Sequence, residues 1–284
     1  MKTDRIAKKV LQRSYDFAEC REDIDLIRSV HEGTLEDGKK GDPNFHGYAA
    51  TLNITGVFAL QALDILELIP FNNKLADFQD EYMPSYPPMS PITKSYFQAW
   101  MLFDARVSPN GPTMGRLFAH YLKKKNTMRY LWKALDGLND SYGSFYEVEA
   151  VAEEDQVQLW DIVDQKKTTC WNSSGYGGEL GEIWYVRQLP SYLDDFRRSV
   201  TVNTPYVFKK EGRRLWEDFF SRQQNLEHNP VREIGSFLKH GKSPEYWLEF
   251  VFQAYANHTG NAIFLEGFPD IAESRPHADS GRDL

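Results

Sequence analysis

"GSFYEVEAVAEEDQVQLWDIVD", Gly143 to Asp164, decides the fold, because here the spacing of apolar residues changes from a helical period to a period of two. Immediately upstream, Met128, Leu131, Trp132, Leu135 and Leu138 recur at steps of three and four, one apolar face of a helix, with Arg129 and Lys133 on the other side. From Tyr142 onward the chain instead runs in short segments rich in Val, Tyr and Trp: "GSFYEVEAVAEED", "QVQLWDIVD", "TTCW", "EIWYVRQLP" and "SVTVNTPYVF". Turn signals such as Glu154-Asp155 and Asp164-Gln165-Lys166-Lys167 separate them. This pattern predicts four or five antiparallel strands in a small, curved, half-open barrel-like sheet, with a hairpin between the first two.

Outward from that block the chain reads as helix. Phe17, Cys20, Ile24, Ile27 and His31 form one stripe, residues 31–47 read as an exposed loop, and residues 49–69 as a buried helix. The connector "MPSYPPMSP", Met83 to Pro91, holds four prolines and should run extended, with Ser90 capping and Pro91 opening a helix through residues 92–107. After Asn110-Gly111-Pro112 helix resumes to about Gly137, with a break expected at Asn126-Thr127. Beyond the strands, residues 212–226, 230–241 and 243–258 read as helices, the last capped by Ser243 with Pro244 following, and "NAIFLEG" adds a strand. The class is therefore α+β: a helical bundle over 1–141, an antiparallel β module over 142–208, C-terminal helices over 209–270 packing back, and a polar tail over 271–284. Strands gathered in one block disfavour a parallel, doubly wound sheet.

The 284 residues are 41% hydrophobic and 14% aromatic, enough for a substantial core. The start, "MKTDRIAKKVLQRSYDF", places charges where an export signal needs an apolar run, so a cytoplasmic location is expected. Cys20 and Cys170 lie far apart without metal-ligand spacing and should be reduced and buried. Residues 49–70 are weakly charged, but Asn53, Gln61, Asp64 and Glu67 interrupt them. A charge at a bilayer centre costs about 2–3 kcal/mol or more, which favours a buried helix over a membrane span.

The densest motif is "WNSSGYGGELGEIWYVRQLP", Trp171 to Pro190, in which Gly175, Gly177, Gly178 and Gly181 crowd together. Phosphate-cradling loops present backbone N–H groups at the start of a following helix. Here an aromatic, β-branched run follows, and no Lys-Ser or Lys-Thr pair, so the loop joins two strands and the glycines serve turns or bulges. Trp171, Tyr176 and Trp184 around it form a candidate protein-contact surface. The seven histidines show no HExxH pattern, no GxSxG elbow precedes a helix, and no catalytic residue, metal ligand or cofactor motif is assigned. "SRPHAD", Ser274 to Asp279, is enzyme-like by residue type but falls in the tail.

Net charge is −8, unevenly placed: 8 Lys/Arg against 3 Asp/Glu in residues 91–142, and 5 against 11 in residues 143–208. Lys123, Lys124, Lys125, Arg129 and Lys133 concentrate the positive charge, with Tyr121 and Tyr130 interleaved. Such a patch suits nucleic-acid phosphates, an acidic partner, or an acidic face of the same chain, while the overall acidity disfavours a polyanion. "GEIWYVRQLP" with "TVNTPYVF" resembles segments of bacterial proteins without assigned chemistry, which implies a bacterial source and strand conformation. The expected function is a non-catalytic binding or regulatory protein that docks other proteins. An enzyme with a dispersed site, and a nucleic-acid binder using residues 123–133, are the alternatives.

Overall fold

The computed structural model describes residues 2–35, 41–84, 90–151, 156–194, 198–208, 212–223 and 230–277, without side chains for 2–4 and 230–233. The chain forms two units. One comprises Met1–Gln79, Phe97–Ser141 and Pro190–Arg197; the other comprises Asp80–Tyr96, Tyr142–Leu189 and Arg198–Leu284. Residues 80–96 group with the strands and 190–197 with the helices. The C-terminal helices share the unit of the strands.

Among the described residues seven α-helices precede the first strand: α1 (Lys2–Gln12), α2 (Arg21–Glu32), α3 (Pro43–Ala62), α4 (Ile69–Tyr82), α5 (Lys94–Phe103), α6 (Met114–Lys125) and α7 (Trp132–Asp140). In the helical unit α3 is the axis, packing on α2, α6 and α7. It begins earlier than its apolar run suggests, because the Asp42 side chain accepts from the Asn44 N–H (2.8 Å) and Pro43 takes the first turn. Its buried threonine hydroxyls are satisfied within the helix, Thr51 donating to the Gly47 carbonyl and Thr55 to that of Thr51. Phe58 stacks on Phe118 (ring centroids 4.6 Å) to fill the contact with α6. That helix ends at Asn126 in the left-handed conformation (φ 51°), the break expected from sequence. No single helix among the described residues is long and apolar enough to cross a membrane.

The strands are β1 (Gly143–Val151), β2 (Gln156–Asp161), β3 (Lys166–Asn172), β4 (Ile183–Leu189), β5 (Ser199–Thr201) and β6 (Tyr206–Phe208). After them come α8 (Arg213–Gln223), α9 (Pro230–His240), α10 (Tyr246–Ala254), β7 (Tyr255–His258) and β8 (Ile263–Leu265). β1, β2 and β3 form an antiparallel meander, β5 pairs parallel to β3, and β4 pairs antiparallel to both β5 and β1. The barrel is thus closed, not half-open, in the order β1-β2-β3-β5-β4-β1. This is the winding of the OB-type Greek-key barrel. β6 continues along β4 after a two-residue slip in register, and β8 and β7 extend the sheet. Pro205, which has no N–H for a ladder, lies in that slip.

Tyr146, Val148, Val157, Leu159, Cys170, Trp184 and Val186 fill the barrel. On the opposite face of β1 and β4, Phe145 and Tyr185 are also buried, because Trp216 of α8 and Trp247 of α10 stack on them (4.2 and 5.4 Å). The C-terminal helices do pack back, and two-sided cover explains why these strands are buried on both faces. Three local expectations differ. Ser243 does not cap α10, which starts at Tyr246. Residues 255–258 leave the helix and form β7. Ser90 caps no helix and Pro91 opens none, since α5 runs only from Lys94 to Phe103; the Ser90 hydroxyl instead donates to the Tyr82 carbonyl (2.5 Å), tying the connector to the end of α4. Residues 85–89 of the proline run lie outside the described residues.

Candidate functional site

The glycine loop joins β3 to β4, two strands that are not neighbours in the sheet, so it must cross one end of the barrel. Gly175, Gly178 and Gly181 have φ of 73°, 75° and 83°, the conformation that glycine adopts without strain. Side chains then fix the crossing. Asn172, buried, donates to the Tyr176 carbonyl (2.7 Å) and accepts from the Thr201 hydroxyl (2.8 Å), stapling the loop's first half to β5.

The second half is organised by Glu182. Its carboxylate accepts from the Tyr176 hydroxyl (2.9 Å), the Trp184 indole N–H (3.1 Å) and the Glu179 backbone N–H (3.0 Å). Burial, and then the bond to Glu182, push the Tyr176 phenol well above the usual tyrosine range, so it remains a donor at neutral pH. Along β1, the Gly181 N–H donates to the Val148 carbonyl and the Val148 N–H to the Glu182 carbonyl (both 2.9 Å). A methyl group on Gly177 would touch Val151 at 3.6 Å. The outcome is a loop fixed from beneath with apolar groups left outside: Leu180 is 77% exposed and Val151 52%.

The structure divides the predicted contact residues. Trp184 is fully buried and belongs to the core, which corrects its assignment to a surface; its role is to hold Glu182. Tyr176 is half-buried, leaning on Trp184 and Phe264 (5.6 and 6.1 Å), and Trp171 is partly exposed on the outer face of β3. Glu182, Leu180 and Val151 escaped the sequence reading. The only local signal was the alternation of Glu179, Leu180, Gly181 and Glu182 before the strand.

The basic residues do not form one open field. Lys123 pairs with Asp136 (2.9 Å) and Lys133 with Asp194 (3.2 Å), so part of the charge is answered within the helical unit. Arg129 donates twice to the Asn126 side-chain oxygen and lies over Trp132, Lys125 lies over Tyr121, and Lys124 is exposed. On the outer face of β2 and β3, where OB-type barrels receive oligonucleotides, Lys167 pairs with Glu149, and at the turn between the two strands Lys166 pairs with Asp164. Arg213 stacks on Trp160 (4.5 Å) while paired with Glu217 and Glu147.

Cys20 and Cys170 are buried and form no disulfide, and burial pushes the Cys20 thiol up to about 11. No three of His, Cys, Asp or Glu come together as a metal cage among the described residues. Of the "SRPHAD" stretch, Ser274 closes a turn by accepting from the Phe268 N–H and donating to the Ile271 carbonyl, and the His277 N–H donates to the Gln253 carbonyl. Hydrogen bonds therefore tie residues 271–277 to the rest of the chain although the stretch is mostly exposed, while 278–284 lie outside the described residues.

The class defined by this geometry is an α+β protein built on a closed five-stranded barrel with a locked glycine loop at one end. The chain matches no family model, no curated protein and no solved structure.

Proposed function

We propose that the chain is a non-catalytic docking protein of a bacterial multi-component system and that it receives a protein partner at the glycine-loop end of its barrel. The observation that carries this reading is the combination of a loop fixed by Asn172 and Glu182 with exposed Leu180 and Val151. A pre-ordered apolar surface binds without the entropy cost of ordering a flexible loop. Scattered exposed apolar residues alone mean little. Leu60 and Leu66 of the helical unit are equally exposed, but they lie on a helix and on the short turn that follows it rather than on a loop across a barrel end.

A photo-crosslinking residue placed at position 180 tests the reading in the native host, with position 60 as the control. The same protein captured in stoichiometric amount from 180, absent from 60, and lost on Val151→Arg supports it. Indistinguishable capture from both positions, or none from 180, refutes it.

A further inference from the structure

The residues that build the glycine-loop end carry one sign of charge. Residues 143–151 and 171–182 contain Glu147, Glu149, Glu179 and Glu182 and no Lys, Arg or His. Glu149 is answered by Lys167 (2.9 Å) and Glu147 by Arg213 (3.7 Å). No ion pair among the described residues reaches the other two. The three donors on Glu182 are neutral, so they orient the carboxylate without answering it with a positive charge. Leu180, 77% exposed, stands between these two carboxylates in the chain.

An apolar anchor flanked by fixed, unanswered negative charge selects its complement. We propose that this end of the barrel docks a cationic, amphipathic segment of a partner protein, an apolar side chain meeting Leu180 and Val151 while a Lys or Arg reaches Glu179 or Glu182. The inference rests on the docking reading above and adds the chemistry of the partner. Nucleic acid or an anionic lipid surface would bring phosphates against two uncompensated carboxylates and is repelled. In such a contact the apolar anchor supplies most of the affinity and the charges select the partner and speed its arrival.

The test titrates the full chain with a fluorescein-labelled Gly-Lys-Leu-Lys-Leu-Lys-Gly peptide and with its counterpart carrying Glu for every Lys. The lysine peptide should bind and the glutamate peptide should not, with binding weakening about tenfold or more from low to high salt. Leu180→Ala and Glu179→Gln should each weaken it about fivefold, while Asp77→Asn, an exposed carboxylate on α4, leaves it unchanged. Far-UV circular dichroism checks that each variant is folded. Binding of neither peptide, equal binding of both, or lysine-peptide binding indifferent to Leu180→Ala and Glu179→Gln overturns the proposal. Leu180-dependent binding of the glutamate peptide overturns the partner's chemistry alone, whereas failed crosslinking from position 180 removes the docking reading itself.

Discussion

Three neighbouring glycines allow the lock on the loop to be measured. Gly177 has no positive φ, and an added methyl would meet Val151 at an ordinary 3.6 Å, so Gly177→Ala should change stability by no more than about 0.5 kcal/mol. Gly181 has φ 83° with nothing within 4 Å, so Gly181→Ala meets only the left-handed backbone penalty, about 1–2 kcal/mol. Gly178 has φ 75° and faces Trp184, whose Cζ2 would lie 2.5 Å from the new methyl. Trp184 is fully buried with its indole N–H committed to Glu182, so it has nowhere to swing. Overpacking of that kind adds about 1–3 kcal/mol, which brings Gly178→Ala to about 2–5 kcal/mol. Urea unfolding near pH 7, followed by tryptophan emission, gives the three values. Because the chain has two units, each variant is compared with the parent on the barrel transition alone. If Gly178→Ala costs no more than Gly181→Ala, Trp184 is free to move and the loop is not locked.

Further tests address other parts of the fold. Asp161, 3% exposed, accepts from the Val163 and Asp164 N–H groups (both 2.9 Å); Asp161→Ala should cost about 1–3 kcal/mol in denaturant unfolding, and Asp161→Asn, which keeps the acceptor, less than half as much. In the helical unit, Tyr48→Phe removes the hydrogen bond to the Pro190 carbonyl (2.6 Å), an expected loss of about 1 kcal/mol that thermal unfolding would reveal. Burial pushes Tyr15, Tyr142 and Tyr246 each up to about 12, against about 10 in an unfolded chain. The folded state then holds more protons than the unfolded state between those values. Their contribution is fully present below pH about 10 and is lost as pH rises through about 12. Denaturant midpoints measured across that window should fall while phenolate absorbance appears late; a flat profile would contradict the buried tyrosines.

Much of this fold could be read in the chain because local periods survive into the structure. The alternation from Gly143 yields β1 and β2 as a hairpin, and the step pattern of Leu131, Leu135 and Leu138 yields α7. Closure could not be read, since it rests on pairing Gly143–Glu147 with Ile183–Arg187 across some forty residues, and a register is set by packing rather than by either strand alone. Two signals were present in plain residues. Asp42-Pro43 is a cap followed by a first-turn proline, hidden by the charged and glycine-rich stretch before it. Pro205 marks the interruption between β5 and β6. Residues 255–258 misled because their helical spacing continues that of α10, and only the partner strand β8 turns them into a ladder.

The site was less legible than the fold because charge clustered in sequence is not charge clustered in effect. Lys123 and Lys133 look like members of one basic field, yet they find Asp136 and Asp194, the second of these 61 residues away, and such exposed pairs contribute at most about 1 kcal/mol. The glycine loop shows the reverse. Glu182 looks like an ordinary turn residue, but three neutral donors converge on it and fix its orientation, while Trp184, the side chain that resembled a contact residue, is turned inward to supply one of them. A period of two places Trp184 and Tyr185 on opposite faces without saying which face meets solvent, and α10 buries Tyr185 as well. Exposure passes instead to Leu180 and Val151, which no periodicity marks. The part of this loop that faces a partner is therefore set by what the barrel end requires of Gly178, Glu182 and Trp184.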